Sequence, residues 1–322
     1  MNQKGLPDKV IGPAQVALDY YKQNGFFEPA ARASLLLIRA QRDHGQYQSA
    51  LQSGNEFLAL ATKSDMRELR MEAEEVVGTV FLAKEHYSDA LVHFQNAESF
   101  ADTNSMRASQ KLHCSDALWK LGRYSESEIL LSSLSGHDSF MEGVDSVHIA
   151  SLLSRREYET ALTLSREMIA KDPKMASYLK LELEQDEAIA ESHLGLRNQA
   201  LEDLTKVVGE STNDAEDEAK AKLSAAEVYL ALGLRQQAYD NAVPAQIYFA
   251  SSGQQDSELR SALLAAVASK ELKNTSEYSK YSVKVVDIIS QLQHTYDPQG
   301  LQFYLSRPDL RTLRQEVSET AG

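Results

Sequence analysis

Eight histidines, one cysteine and two short serine-containing runs are the places in this 322-residue chain where side chains could do covalent or metal chemistry. The histidines are His44, His86, His93, His113, His137, His148, His193 and His294, and no two stand in a His-x-x-x-His pair. His86 and His93 lie two helical turns apart, with no thiol or carboxylate completing a plausible metal set. Phosphate-binding glycine loops, dinucleotide fingerprints and a Gly-x-Ser-x-Gly elbow are absent. Ser177-Tyr-Leu-Lys180 has Ser-x-x-Lys spacing, but the partner motifs of that enzyme class are missing and the run reads as a helix start. Gly136-His137-Asp138-Ser139 holds the residue types of a hydrolase triad, yet adjacent residues cannot place three side chains in one line of hydrogen bonds. Cys114, beside Lys111, His113 and Asp116, reads as a buried packing residue, and a lone cysteine allows no internal disulfide. The expectation is a chain with no catalytic activity, no metal and no cofactor.

Binding chemistry is better represented. Arg32, Leu35, Arg39 and Arg42 stand three, four and seven residues apart, so one helix would carry them on one face. Three guanidiniums together suit capture of carboxylates, and the plainer reading pairs them with Glu28 and Asp43. The net charge is −14, which opposes duplex nucleic acid as a partner. Twelve acids against two bases fall between Glu182 and Glu218, which reads either as a solvated face or as an acidic docking surface. The first ten residues lack the apolar core of a signal peptide, and no run is apolar enough to span a bilayer. A soluble, cytoplasmic chain without a membrane partner is expected.

The elements that must position these residues are helices. Ala, Leu, Glu, Gln, Lys and Arg dominate, Gly and Pro number only 15 and 7, and strand-like runs are scarce. One pattern recurs: an amphipathic helix, a tight turn, a large side chain, then a small residue three positions later. The copies are Gly45-Gln-Tyr47-Gln-Ser-Ala50, Glu85-His-Tyr87-Ser-Asp-Ala90, Gly122-Arg-Tyr124-Ser-Glu-Ser127 and Arg156-Glu-Tyr158-Glu-Thr-Ala161. Gly195-Leu-Arg197-Asn-Gln-Ala200, Gly233-Leu-Arg235-Gln-Gln-Ala238 and a weaker copy ending at Ser279 complete the series. The small residues are 34 to 41 positions apart. Glycine lets the chain leave a helix through a left-handed turn, the aromatic wedges between two helices, and the small residue marks their closest crossing.

This pattern resembles the tetratricopeptide repeat family. The second copy matches best, with Gly78, Phe81, Tyr87, Ala90, Phe94 and Ala97 in family register, and the fourth adds Tyr158, Ala161 and Asp172-Pro173. Arg197 and Arg235 stand where the family has an aromatic, and Ser127 where it has Ala. The resemblance implies an all-α fold, a right-handed superhelical α-solenoid of about seven antiparallel helix pairs with helical caps. It divides the chain into an N-terminal cap over residues 1–27, a repeat array over 28–290 and C-terminal capping helices over 291–322. Pro13 is expected to start a short first helix ending at Lys22, and Asp309 to cap the last one.

In such an array the first helix of each pair lines a concave groove. The groove positions are Arg32, Leu35, Arg39, Arg42, Glu75, Asp116, Trp119, Gln185 and Glu227, with Trp119 either core filler or an anchor for a partner. The Lys and Asn that the family's chaperone-tail clamp needs are replaced by Leu35/Arg39, Glu75/Thr79 and Leu112/Asp116, so that clamp is not reproduced. The implied function is a protein-binding scaffold whose protein or peptide partner presents an acidic segment to the N-terminal end of the groove. The alternative is a ligand-sensing module that controls an effector domain.

Overall fold

A computed structural model describes residues 7–63, 66–134, 140–172, 174–210 and 214–318. The loop 136–139, with its triad-like residue types, and Pro173 lie outside them. Among the described residues there are seventeen helices and no strand. They are α1 (Pro7–Gln23), α2 (Phe27–Asp43), α3 (Tyr47–Thr62), α4 (Arg67–Ala83), α5 (Tyr87–Phe100) and α6 (Asn104–Lys120). Next come α7 (Tyr124–Ser133), α8 (Met141–Ser154), α9 (Tyr158–Lys171), α10 (Ser177–His193), α11 (Arg197–Glu210) and α12 (Ala215–Ala231). The chain ends with α13 (Arg235–Ser252), α14 (Gln255–Glu271), α15 (Thr275–Thr295), α16 (Pro298–Leu305) and α17 (Pro308–Ser318).

The turns form for the reason the sequence suggests. Gly45, Gly122, Gly195 and Gly233 all have positive φ, and Glu85, Arg156 and Lys273 hold the same left-handed backbone without being glycine. At Gly45 the next amide, of Gln46, donates to Gln41 and Gly45 itself donates to Arg42, which satisfies the carbonyls at the end of α2. The same pair of bonds recurs at Glu85, Arg156, Gly195, Gly233 and Lys273. Ala50, Ala90, Ser127, Ala161, Ala200 and Ala238 are all fully buried at helix crossings. Gly78 shows how close these crossings are, because a Cβ there would stand 2.7 Å from the Phe94 ring.

Three expectations need correction. Helix α1 begins at Pro7, so Pro7 holds the first helical position and Pro13 lies inside the helix. In the seventh copy Ser279 is exposed; counting from Lys273 puts Tyr278 at the crossing position, where its hydroxyl donates to the Val317 carbonyl. Asp309 does not cap α17: Pro308 precedes it inside the helix and its carboxylate is drawn into a buried ion network.

The helices fall into two compact units, Met1–Leu118 with Ile129–Gly136, and Trp119–Glu128 with His137–Gly322. In unit 1, α1 packs on α2, α2 on α3 and α4, and α4 on α5. Its main core gathers Ile38, Tyr47, Phe57, Val77 and Val80. In unit 2 the first helices of successive pairs form a row, α8 against α10, α10 against α12 and α12 against α14, while each also packs on its own partner. The terminal helix α17 lies on this row, packing against both α14 and α8.

Candidate functional site

Unit 2 closes its inner row of helices with charged groups. The side chain of Arg307, in the two-residue link between α16 and α17, is 1% exposed. Its Nη2 donates to Asp309 Oδ2 at 2.8 Å, and its Nη1 donates to Asp256 Oδ1 at 3.2 Å and to the Lys120 carbonyl at 3.1 Å. The guanidinium also stands 5.7 Å from the Trp119 ring centroid and 5.5 Å from that of Tyr304. Tyr304 donates to Asp256 at 2.6 Å, and Ser154 donates to Asp309 at 3.2 Å. Gly122 makes room for this seat, since a Cβ there would collide with the Phe303 carbonyl.

From Asp309 the network continues across the row. Arg260 of α14 donates to Asp309 at 2.6 Å and to Glu227 of α12 at 2.8 Å. Burial alone would push the Glu227 carboxyl up, but Arg260 and then His193 reverse this and hold it at about 2. Asp256 is likewise kept below the usual carboxylate range, because Arg307 and Arg260 outweigh the cost of its burial. His193 places Nε2 3.5 Å from Glu227 and lays its ring parallel to Tyr158, centroids 4.2 Å apart.

Beside this network lies a cleft of about 270 Å³. The stacked Tyr158 and His193 rings form one part of its lining, Leu230, Leu264 and Leu313 supply apolar surface, and Arg156 joins them from the α8–α9 turn. Among the described residues no cluster of His, Cys, Asp or Glu is arranged to hold a metal ion.

The sequence-predicted positions divide between the units. In unit 1, Arg32 and Arg39 are exposed, Leu35 packs on the core, and Arg42 pairs with Asp43 and donates to Thr79. Arg32 also pairs with Glu28, and Glu75 accepts from Gln110. Glu72 is raised mainly by burial and by Glu68, and lowered by Arg39 and Arg32, so α4 offers carboxylates toward the arginines of α2. Asp116 is half-buried. Cys114 is buried, and burial pushes its thiol up to about 12, so it is an unreactive packing group.

In unit 2, Trp119 is buried against Arg307, Gln185 is half-buried, and Glu227 lines the cleft. The acidic stretch is neither one solvated face nor one docking surface. Glu187 and Glu191 of α10 are buried, bonded to Ser165 and Arg166. Asp203, Glu216 and Glu218 pair with Lys206, Lys220 and Lys222 within their own helices. Sequence reasoning missed Asp256, Arg260, Arg307 and Arg156. The signal it had was Arg307-Pro308-Asp309, two opposite charges around a proline within an apolar segment.

No family model matches the chain, and no curated protein matches it by sequence. Among solved structures it is similar to a Rap protein complexed with competence and sporulation factor, with a TM-score of 0.58 at 12% identity, covering 99% of each chain. Its fold is TPR-like. A second TPR-like likeness, the APC/C hetero-tetramer Cut9–Hcn1, has a TM-score of 0.40 at 15% identity over 97% of this chain and 73% of that one. The TPR-like fold accounts for the helix pairing, and the cleft is built from this chain's own side chains upon it.

Proposed function

We propose that the chain is a non-catalytic protein-interaction scaffold or adaptor, working in the cytoplasm and holding a partner's extended or helical segment along its inner helices. The observation that carries this is end-to-end coverage. A structure solved with a bound factor aligns with this one along 99% of both chains, so the two share their fold from end to end, and that supports a partner-binding role here. The exposed guanidiniums of Arg32 and Arg39, with Arg42 one turn on, are the proposed contacts for an acidic partner segment. Among the described residues no helix is long and apolar enough to cross a membrane.

The test is affinity capture from a lysate of the source organism on the immobilised chain, read by mass spectrometry. Arg32, Arg39 and Arg42 changed together to Glu should leave helicity intact and remove most of the captured set. An unchanged set would mean that the arginines are not the contact, and no reproducible set at all would overturn the scaffold reading.

A further inference from the structure

We infer that the cleft bounded by α17 is a binding site for a small carboxylate with an apolar body, with Arg156 as the group that receives the charge. The inference goes beyond partner binding and rests on four observations within unit 2.

Nearly every charge at the cleft is already matched. Glu227 and Asp309 are held by Arg260, and Asp309 also by Arg307. Glu271 pairs with Arg235 at 2.8 Å. Arg156 lines the same cleft and makes no ion pair among the described residues; its guanidinium lies 5.9 Å from the Tyr158 ring centroid. It is an exposed cation in the lining of the cleft, hydrogen-bonded to the Tyr158 hydroxyl and in no ion pair among the described residues.

Arg156 also holds an awkward backbone, with φ at 65°. Four equivalent turns use glycine there, and a side chain in this region costs on the order of 1 kcal/mol. Glu85 and Lys273 share the conformation, but neither lines the cleft.

The remaining lining sets the rest of the ligand. Leu230, Leu264 and Leu313 are apolar, and the cleft volume is about 270 Å³. That admits a small aromatic or branched acid. The anion should be a carboxylate because one guanidinium offers two parallel N–H groups to one carboxylate. A dianionic phosphate would add a second negative charge to a cleft whose lining already holds four carboxylates, Glu227, Glu271, Asp309 and Glu316. Since Leu313 belongs to α17, a bound acid touches both that helix and the row beneath it and should hold them together.

The test is calorimetric titration of the full chain with 3-phenylpropanoate, alongside 3-phenylpropanamide and phenyl phosphate. Saturable binding of the propanoate is expected, with the amide and the phosphate each about tenfold weaker or more. Arg156→Gly should weaken propanoate binding by about tenfold or more, and Arg156→Lys by less. Glycine suits the left-handed turn, so the thermal midpoint of Arg156→Gly should stay level or rise, which separates lost binding from lost folding. The inference is overturned if no saturation occurs up to ~10 mM, or if Arg156→Gly binds as the unaltered chain does. Tighter binding of phenyl phosphate than of the propanoate would overturn the carboxylate assignment.

Discussion

Arg32 of unit 1 reaches Glu28 four residues away on its own helix, with 78% of its side chain exposed. Arg307 of unit 2 is 1% exposed and bonds Asp256, Asp309 and the Lys120 carbonyl, each from a different part of the fold. The residue type is the same and the physics is opposite. In water the ion pair gains little, because solvent screens it and two long side chains must be held still. In the interior each charge has lost its hydration, so every partner must be in place. The Arg32 charge is therefore left at the surface, while that of Arg307 is spent on fixing where the last two helices sit.

Substitutions break this comparison in graded steps. Arg307→Ala would leave Asp256 buried without its main counter-charge and Asp309 with Arg260 alone, and should lower stability by about 3–5 kcal/mol in urea unfolding. An intermediate effect belongs to Glu191, also in unit 2. Burial, then the neighbouring Asp203, raises its carboxyl to about 7, with Arg166 pulling the other way. The unfolded chain releases this proton near the ordinary value of 4.5, so folding holds a proton that the unfolded state has lost. The contribution is complete below that value and disappears as pH rises toward 7. Glu191→Gln should therefore gain about 1–2 kcal/mol over the unaltered chain at pH 8 and little at pH 4, read from unfolding midpoints at both. The smallest effect is expected of Arg32→Ala, within about 0.5 kcal/mol of the unaltered chain and smaller still in high salt.

The fold was readable because its signal is local and repeated. A left-handed turn followed by a small buried residue needs only six consecutive positions, and six copies from Ala50 to Ala238 keep it. The seventh slipped by one residue because its left-handed turn falls at Lys273, which puts Tyr278, bonded to α17, where the other copies have a small residue. Pro13 misled because proline is frequent at the first helical position, and Pro7 takes that place. Of the cleft, Glu227 was among the groove positions, and Leu230, three residues on, shares its helix face. The rest depends on contacts across long separations, Arg307 to Lys120 and Asp309 to Ser154 among them, which no local period encodes. The twelve-acid stretch read as a surface for the same reason, since nothing near Glu191 in sequence shows that Arg166 and Asp203 enclose it.

The central claim for unit 2 is that Arg307 fixes the terminal helices onto the inner row. Hydrogen–deuterium exchange on full-length Arg307→Ala and on the unaltered chain tests it most directly. Faster exchange concentrated in α16, α17 and α14, with α2 to α5 unchanged, is the predicted result. Unchanged protection of α17 in the variant would contradict it.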